Sequence, residues 1–272
     1  MRFGFVTCVR LGLSCIEAVV EAGGRFDLFI TLPDHWARSK SGRIYLDEVS
    51  ARTGTPLLKV RHINDPQCVQ AIRDHGIDWL FIIGWSQIAD RSVLDAPRLG
   101  IIGAHPTLLP IGRGRAAIPW AILKGLDKTG VTFFRMDEGV DTGDIVGQVE
   151  IPLHADITST ELYRLADEAH VHLIRQLWPL LVDGSCPIRP QDASLATYWE
   201  GRTPADGELR PDMHLTAVER LVRATTRPYP GAFLMENGQR IVIWRGQVGE
   251  CPGGRTFQFV DGPYTALDFE VQ

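Results

Sequence analysis

Through residue 150 the chain alternates short, largely apolar runs with stretches that are apolar at every third or fourth position. Phe3 to Val9, Phe26 to Leu32, Leu57 to Val60, Trp79 to Gly84 and Ile101 to His105 read as strands, and Leu13 to Ala22 and Pro66 to His75 read as helices. A strand that is apolar on both faces must be covered on both. Such runs separated by helices predict an α/β architecture, a doubly wound, mostly parallel sheet. Ile101 to His105 is the run that ends most abruptly, on a histidine.

The pattern changes after Val131. Strands over Val131 to Met136 and Ile145 to Leu153 are joined by the turn-rich Asp137-Glu138-Gly139-Val140-Asp141-Thr142-Gly143. Thr158 and Glu161 then form a capping-box pair, followed by leucines and alanines at helical spacing as far as Leu181, and Gly184 ends the helix. Ser185 to Arg210 is rich in Pro, Gly, Asp and Arg. Thr216 and Glu219 open a short helix, and Ala232 to Met235 and Gln239 to Trp244 flank Asn237-Gly238, a hairpin signal. The expected organisation is a catalytic domain over 1–184, a linker over 185–205 and a small, mostly β domain over 206–272.

Composition narrows the chemistry. Of 272 residues, 28 are Lys or Arg and 33 are Asp or Glu, a net charge of −5 with histidine neutral. That balance argues against a broad nucleic-acid surface, which needs clustered cations. No run is long and apolar enough to suggest a membrane span, and the N-terminus lacks a secretory cleavage site. The five cysteines, none in a Cys-x-x-Cys pair, fit a reducing cytoplasm and offer no metal-ligand spacing. A cytoplasmic protein without a metal is expected.

The first strand is followed by Cys-Val-Arg-Leu-Gly-Leu-Ser, without the glycine pattern of a dinucleotide fold. The chain also lacks a Gly-x-x-x-x-Gly-Lys-Ser/Thr loop and a Gly-x-Ser-x-Gly elbow. His170 and His172, two apart on a helix, point to different sides and read as solvated surface residues. His105 differs, because ligands in open α/β sheets bind outside the carboxyl ends of the strands. Asp141, between glycines in the later turn, reads on its own as a turn residue, and together with His105 it suggests an acid/base pair at one sheet edge. A carboxylate beside an imidazole favours its charged form, which can donate to an oxyanion.

His105-Pro106-Thr107-Leu108-Leu109-Pro110, Arg113-Gly114, Trp120, Gly125, Gly130-Val131-Thr132 and Asp137 to Gly143 together resemble the folate-dependent formyltransferases. That family spans methionyl-tRNA, glycinamide ribonucleotide and sugar-nucleotide enzymes. Gly84-Trp85-Ser86-Gln87-Ile88 is similar to its pterin-contacting segment. Arg223-Ala224 and Pro228 to Phe233 are similar to a C-terminal motif of the tRNA and sugar branches.

The resemblance implies N10-formyltetrahydrofolate as co-substrate and a primary amine as acceptor. It makes His105 and Asp141 the catalytic pair. The pterin would lie against Gln87, Ile88, Ala89, Leu109, Gly139, Val140 and Asp141, and Arg115 and Thr107 are candidates for acceptor binding. Three positions depart from the family pattern: Gly103 stands where Asn is usual, Phe134 where many relatives carry His, and Gly112 where Tyr is usual. A water, a backbone N–H or Arg115 could replace the missing amide of Gly103. The only compact basic stretch is Arg38, Lys40 and Arg43. The expected acceptor is therefore an amino sugar linked to a nucleotide, of the kind used in O-antigen or polysaccharide synthesis. Methionyl-tRNA and a catalytically impaired folate-binding relative are the alternatives, and a homodimer is left open.

Overall fold

The computed structural model describes residues 1–36 and 43–272. They form two compact units. The first comprises Met1–Arg113, Gly130–Glu150 and Asp167–Thr197, and the second Gly114–Thr129, Ile151–Ala166 and Tyr198–Gln272.

In chain order the elements are β1 (Phe3–Val6), α1 (Arg10–Glu21), β2 (Leu28–Thr31), α2 (Asp47–Thr53), β3 (Leu57–Lys59), α3 (Pro66–Asp74), β4 (Trp79–Ile82), α4 (Arg91–Leu94), β5 (Gly100–His105), β6 (Arg113–Gly114) and α5 (Ala117–Leu123). They continue with β7 (Lys128–Arg135), β8 (Ile145–Pro152), α6 (Ser159–Asp183), β9 (Tyr198–Trp199), α7 (Leu215–Thr225), β10 (Ala232–Glu236), β11 (Gln239–Val248), β12 (Arg255–Phe259) and β13 (Gly262–Val271).

The sheet of the first unit has the order β3-β2-β1-β4-β5-β7-β8. Its first five strands pair in parallel, and β7 runs antiparallel to β5. This is the mostly parallel α/β sheet expected from the apolar runs. Because side chains alternate across a strand, β1, β2 and β4 sort their residues by shape. Phe3, Phe5, Phe29 and Phe81 occupy one face. There Phe5 and Phe81 stack at 5.5 Å and Trp178 of α6 lies 4.4 Å from Phe3, ring centre to ring centre. Val6, Leu28, Ile30, Leu80 and Ile82 occupy the other, packed with Cys68, Val69 and Ile72 of α3.

Several local expectations are corrected. The first strand stops at Val6 because Val9 already serves as the N-cap of α1. The short helices α2, α4 and α5 carry too few turns for a periodic signal and were not expected. The capping box is half made: the Glu161 N–H donates to Thr158 Oγ1, but the Glu161 carboxylate turns to His154 Nε2 at 3.1 Å. His170 is not a solvated histidine. It is buried, with its ring 5.7 Å from that of Phe133, whereas His172 is exposed.

The second unit carries an antiparallel sheet, β10-β11-β13-β12, with Val218, Leu221 and Val222 of α7 packed on it. Asn237 and Gly238 both have positive φ (50° and 80°), the conformation of the two-residue hairpin that their sequence predicted. Among the described residues no helix is long and apolar enough to cross a membrane.

Candidate active site

β5 ends in the first unit with His105, whose side chain is 9% exposed. The chain then doubles back through Pro106 to Gly112, and Thr132, opposite His105 in the β5–β7 register, fixes that return. The Thr132 hydroxyl accepts from the Leu109 N–H (3.1 Å) and the Gln148 amide (2.9 Å) and donates to the Thr107 carbonyl (2.7 Å). Gln148 also donates to the Leu109 carbonyl at 2.8 Å. Thr197 holds the far end: its hydroxyl accepts from the Gly112 N–H (2.8 Å), and its carbonyl accepts from the Arg113 N–H (2.9 Å).

The loop thereby brings the Gly112 carbonyl to 2.7 Å from His105 Nε2. A carbonyl only accepts, so Nε2 carries a proton and donates it. Gly112 has φ 73°, a left-handed conformation that side chains disfavour, which accounts for glycine where the resemblance expects tyrosine. The other ring nitrogen, Nδ1, faces Asp141 Oδ2 at 3.5 Å. Both groups facing the ring are hydrogen-bond acceptors.

Asp141 itself has φ 55°, and a half-buried network beneath the turn holds it there. The Gln191 side-chain amide donates to the Asp141 carbonyl (2.9 Å) and the Gly143 carbonyl (2.7 Å). The Gln191 oxygen in turn accepts from Nε and Nη2 of buried Arg113 (3.2 and 2.8 Å). At Gly143 a Cβ would lie 1.7 Å from the Arg135 carbonyl oxygen, so only glycine allows the turn to close against β7.

Gly103 and His105 lie on one face of β5, and the turn climbs along that face. Met136 meets the strand at Gly103, and Asp141 meets it at His105. A Cβ on Gly103 would be 2.9 Å from Met136 Cγ and 3.2 Å from Phe134 Cζ. The space of an asparagine side chain is thus filled by two apolar side chains rather than left for a water.

Two family signatures match this chain: Formyl transferase over residues 29–177, and Formyl transferase, C-terminal domain, over 202–259. A protein of Agathobacter rectalis named methionyl-tRNA formyltransferase is 30% identical over 250 residues, covering 91% of this chain and 80% of that protein. The chain belongs to the formyl transferase family. It is accordingly an enzyme that transfers a formyl group.

Two solved formyltransferase structures share its fold. The N-formyltransferase from Helicobacter canadensis in complex with folinic acid and dTDP-3-aminofucose superposes with a TM-score of 0.73 at 14% identity, covering 98% of each chain. The methionyl-tRNA formyltransferase from Clostridium thermocellum superposes with a TM-score of 0.68 at 18% identity, covering 100% of this chain and 99% of that one.

The remaining candidate residues of this formyltransferase fall into distinct settings. The Gln87 side chain is bound to the 61–63 segment: its oxygen accepts from the Ile63 N–H (2.8 Å) and its amide donates to the Arg61 carbonyl (2.8 Å). The Ile88 carbonyl accepts from Asn64, while the Ile88 side chain is 81% exposed. Ala89 and Leu109 are buried, and Val140 is 56% exposed. The Arg91 to Glu138 ion pair (2.8 Å) ties the segment following Ile88 to the turn that carries Val140. Thr107 is buried, and its hydroxyl has no hydrogen-bond partner among the described residues. Arg115 belongs to the second unit, and His105 and Asp141 belong to the first.

A cleft of about 530 Å³ borders Arg91, Arg135 and Gly139 but includes neither His105 nor Asp141. Gln191, Thr132 and the Gly112 carbonyl escaped the sequence reading. Thr132 carried a signal as part of the Gly130-Val131-Thr132 motif and Gly112 as a departure from the family pattern, but neither signal pointed to the contact that each makes.

Proposed function

We propose that this enzyme moves the formyl group of N10-formyltetrahydrofolate to the primary amine of a nucleotide-linked amino sugar. The observation that carries the reading is the His105 Nδ1 to Asp141 carboxylate approach of 3.5 Å, with Nε2 already engaged by Gly112. The folate supplies the formyl carbon. A bond forms between that carbon and the amine nitrogen, the bond to N10 breaks, and the proton lost by the amine ends on N10. Nδ1 of His105 is the ring nitrogen left to donate to the formyl oxygen as charge develops on it. Asp141 lies on the same side of the ring and receives the amine proton before it passes to the departing nitrogen.

Exposed Ile88 and Val140, on segments joined by the Arg91 to Glu138 pair, supply apolar surface for the flat pterin. Backbone groups of Gln87–Ala89 and Gly139–Asp141 offer donors and acceptors for its edge.

Charge supports a small acceptor. Arg38 and Lys40 of the basic stretch lie outside the described residues. Arg43 spends its guanidinium on Thr31 Oγ1 (3.1 Å) and the Leu32 carbonyl (2.8 Å). In the second unit Arg227 pairs with Asp268, Arg255 with Glu236, Arg210 with Asp212 and Arg223 with Glu219. Cations already neutralised by carboxylates release few counterions from a phosphate backbone.

The 30% identical Agathobacter protein bears a tRNA enzyme's name, which makes methionyl-tRNA the second reading. Purified enzyme given a labelled formyl donor and a panel of amino-sugar nucleotides is expected to label one of them, and His105→Ala to abolish the transfer. Labelling of methionyl-tRNA instead, with a steep salt dependence, establishes the second reading. Folate binding without transfer to either acceptor establishes an impaired relative.

A further inference from the structure

The second unit contains a cavity of about 310 Å³ whose walls include Arg115, Arg202, Thr203, Tyr229, Pro119 and Pro230. Two guanidinium groups line it and no carboxylate does. Arg202 is oriented by the protein: it donates to the Asp206 carbonyl at 2.7 Å and lies 5.1 Å from the Trp120 ring centre. The Asp206 carboxylate is turned onto Thr203, accepting from its hydroxyl at 2.9 Å. Arg115 is exposed, its backbone N–H is tied to the Trp199 carbonyl, and its guanidinium has no ion pair among the described residues. The Tyr229 hydroxyl is bonded to that of Tyr163 (2.8 Å), and burial pushes its pKa up, so it adds no negative charge. The walls therefore combine an anion-binding pair with flat apolar surfaces from two prolines and a tyrosine ring.

We propose that this cavity binds the nucleoside diphosphate part of the acceptor, the diphosphate between Arg115 and Arg202 and the base against Pro119, Tyr229 and Pro230. Guanidinium pairs suit phosphate oxygens, which they engage by paired N–H donors. The volume falls in the range of small-ligand sites. The proposal rests on the amino-sugar nucleotide reading for the identity of its ligand, but its test does not require turnover.

Isothermal calorimetry with UDP, dTDP and inorganic pyrophosphate is expected to show one nucleoside diphosphate binding more tightly than pyrophosphate. Arg115→Ala is expected to weaken that binding about ten-fold or more, with an unchanged melting temperature because the side chain is exposed and unpaired. Arg202→Lys, which keeps the charge but loses the planar fork, is expected to weaken it as well. Undiminished affinity in Arg115→Ala, binding of neither nucleotide, or a loss confined to methionyl-tRNA overturns the proposal. Nucleotide binding lost in Arg115→Ala, in an enzyme that formylates no amino sugar, upholds the cavity and removes the proposed reaction.

Discussion

His105 donates from Nε2 to the Gly112 carbonyl at 2.7 Å, which leaves Nδ1, 3.5 Å from Asp141, as the nitrogen that meets substrate in the proposed reaction. The fold thus fixes the orientation of the ring through a backbone atom, which no side-chain substitution can remove directly. Asp141→Asn keeps the shape but cannot take a proton from the amine. It is expected to lower kcat roughly 10²- to 10⁴-fold with a small change in KM for the folate. A kcat within two-fold of the wild type, measured in steady state, would remove Asp141 from the chemistry.

Gln191 is expected to act as a positioning residue, since it touches the Asp141 and Gly143 carbonyls and not the reacting atoms. Gln191→Glu can still accept from Arg113 but can no longer donate to those two carbonyls. It should lower kcat roughly 10- to 100-fold while folate affinity, read by fluorescence titration, changes little. A merely structural role would instead lower the melting temperature and leave kcat per folded molecule intact.

Restoring the family's asparagine should fail for steric reasons. Gly103→Asn drives its side chain into Met136 and Phe134, at a cost of about 1–3 kcal/mol of overpacking. Expected results are a lower melting temperature and reduced activity, with recovery in the Gly103→Asn, Met136→Ala double variant. A single variant as stable as the parent would show that Met136 moves aside freely.

Asp167 offers a pH test of stability. One oxygen accepts from the Ser14 hydroxyl at 3.1 Å, and the other is buried without a partner. Burial pushes its pKa above the ordinary carboxylate value of 3.8. A raised carboxyl contributes stability while protonated and loses it as pH rises through the folded pKa. Asp167→Asn, which does not titrate, should therefore gain most in melting temperature over the wild type near neutral pH and least near pH 4. A difference that stays constant with pH would show that ionisation at this site is not penalised.

The apolar runs of β1, β2 and β4 were legible because burial on both faces leaves no polar position to confuse the count. The Asn237-Gly238 hairpin was legible because positive φ is a property of those residue types. His105 stood out as a polar residue closing an apolar strand, whereas Asp141, between glycines in a turn, stood out only beside His105 and through the family motif. Gln191 did not. It lies in a stretch rich in proline and polar residues where nothing distinguishes an amide bound to the backbone from a solvated one. His170 misled because helical spacing gives a side chain's direction but not what packs over it.

Local preference, set by neighbours in the chain, determined the layered α/β architecture and the β-rich C-terminal part, and motif resemblance singled out the two residues proposed for the chemistry. What faces each ring nitrogen of His105, what fills the space beside Gly103 and what holds Asp141 in place were decided by the tertiary structure. Those contacts join residues distant in sequence, and their energies exist only once the chain has brought them together.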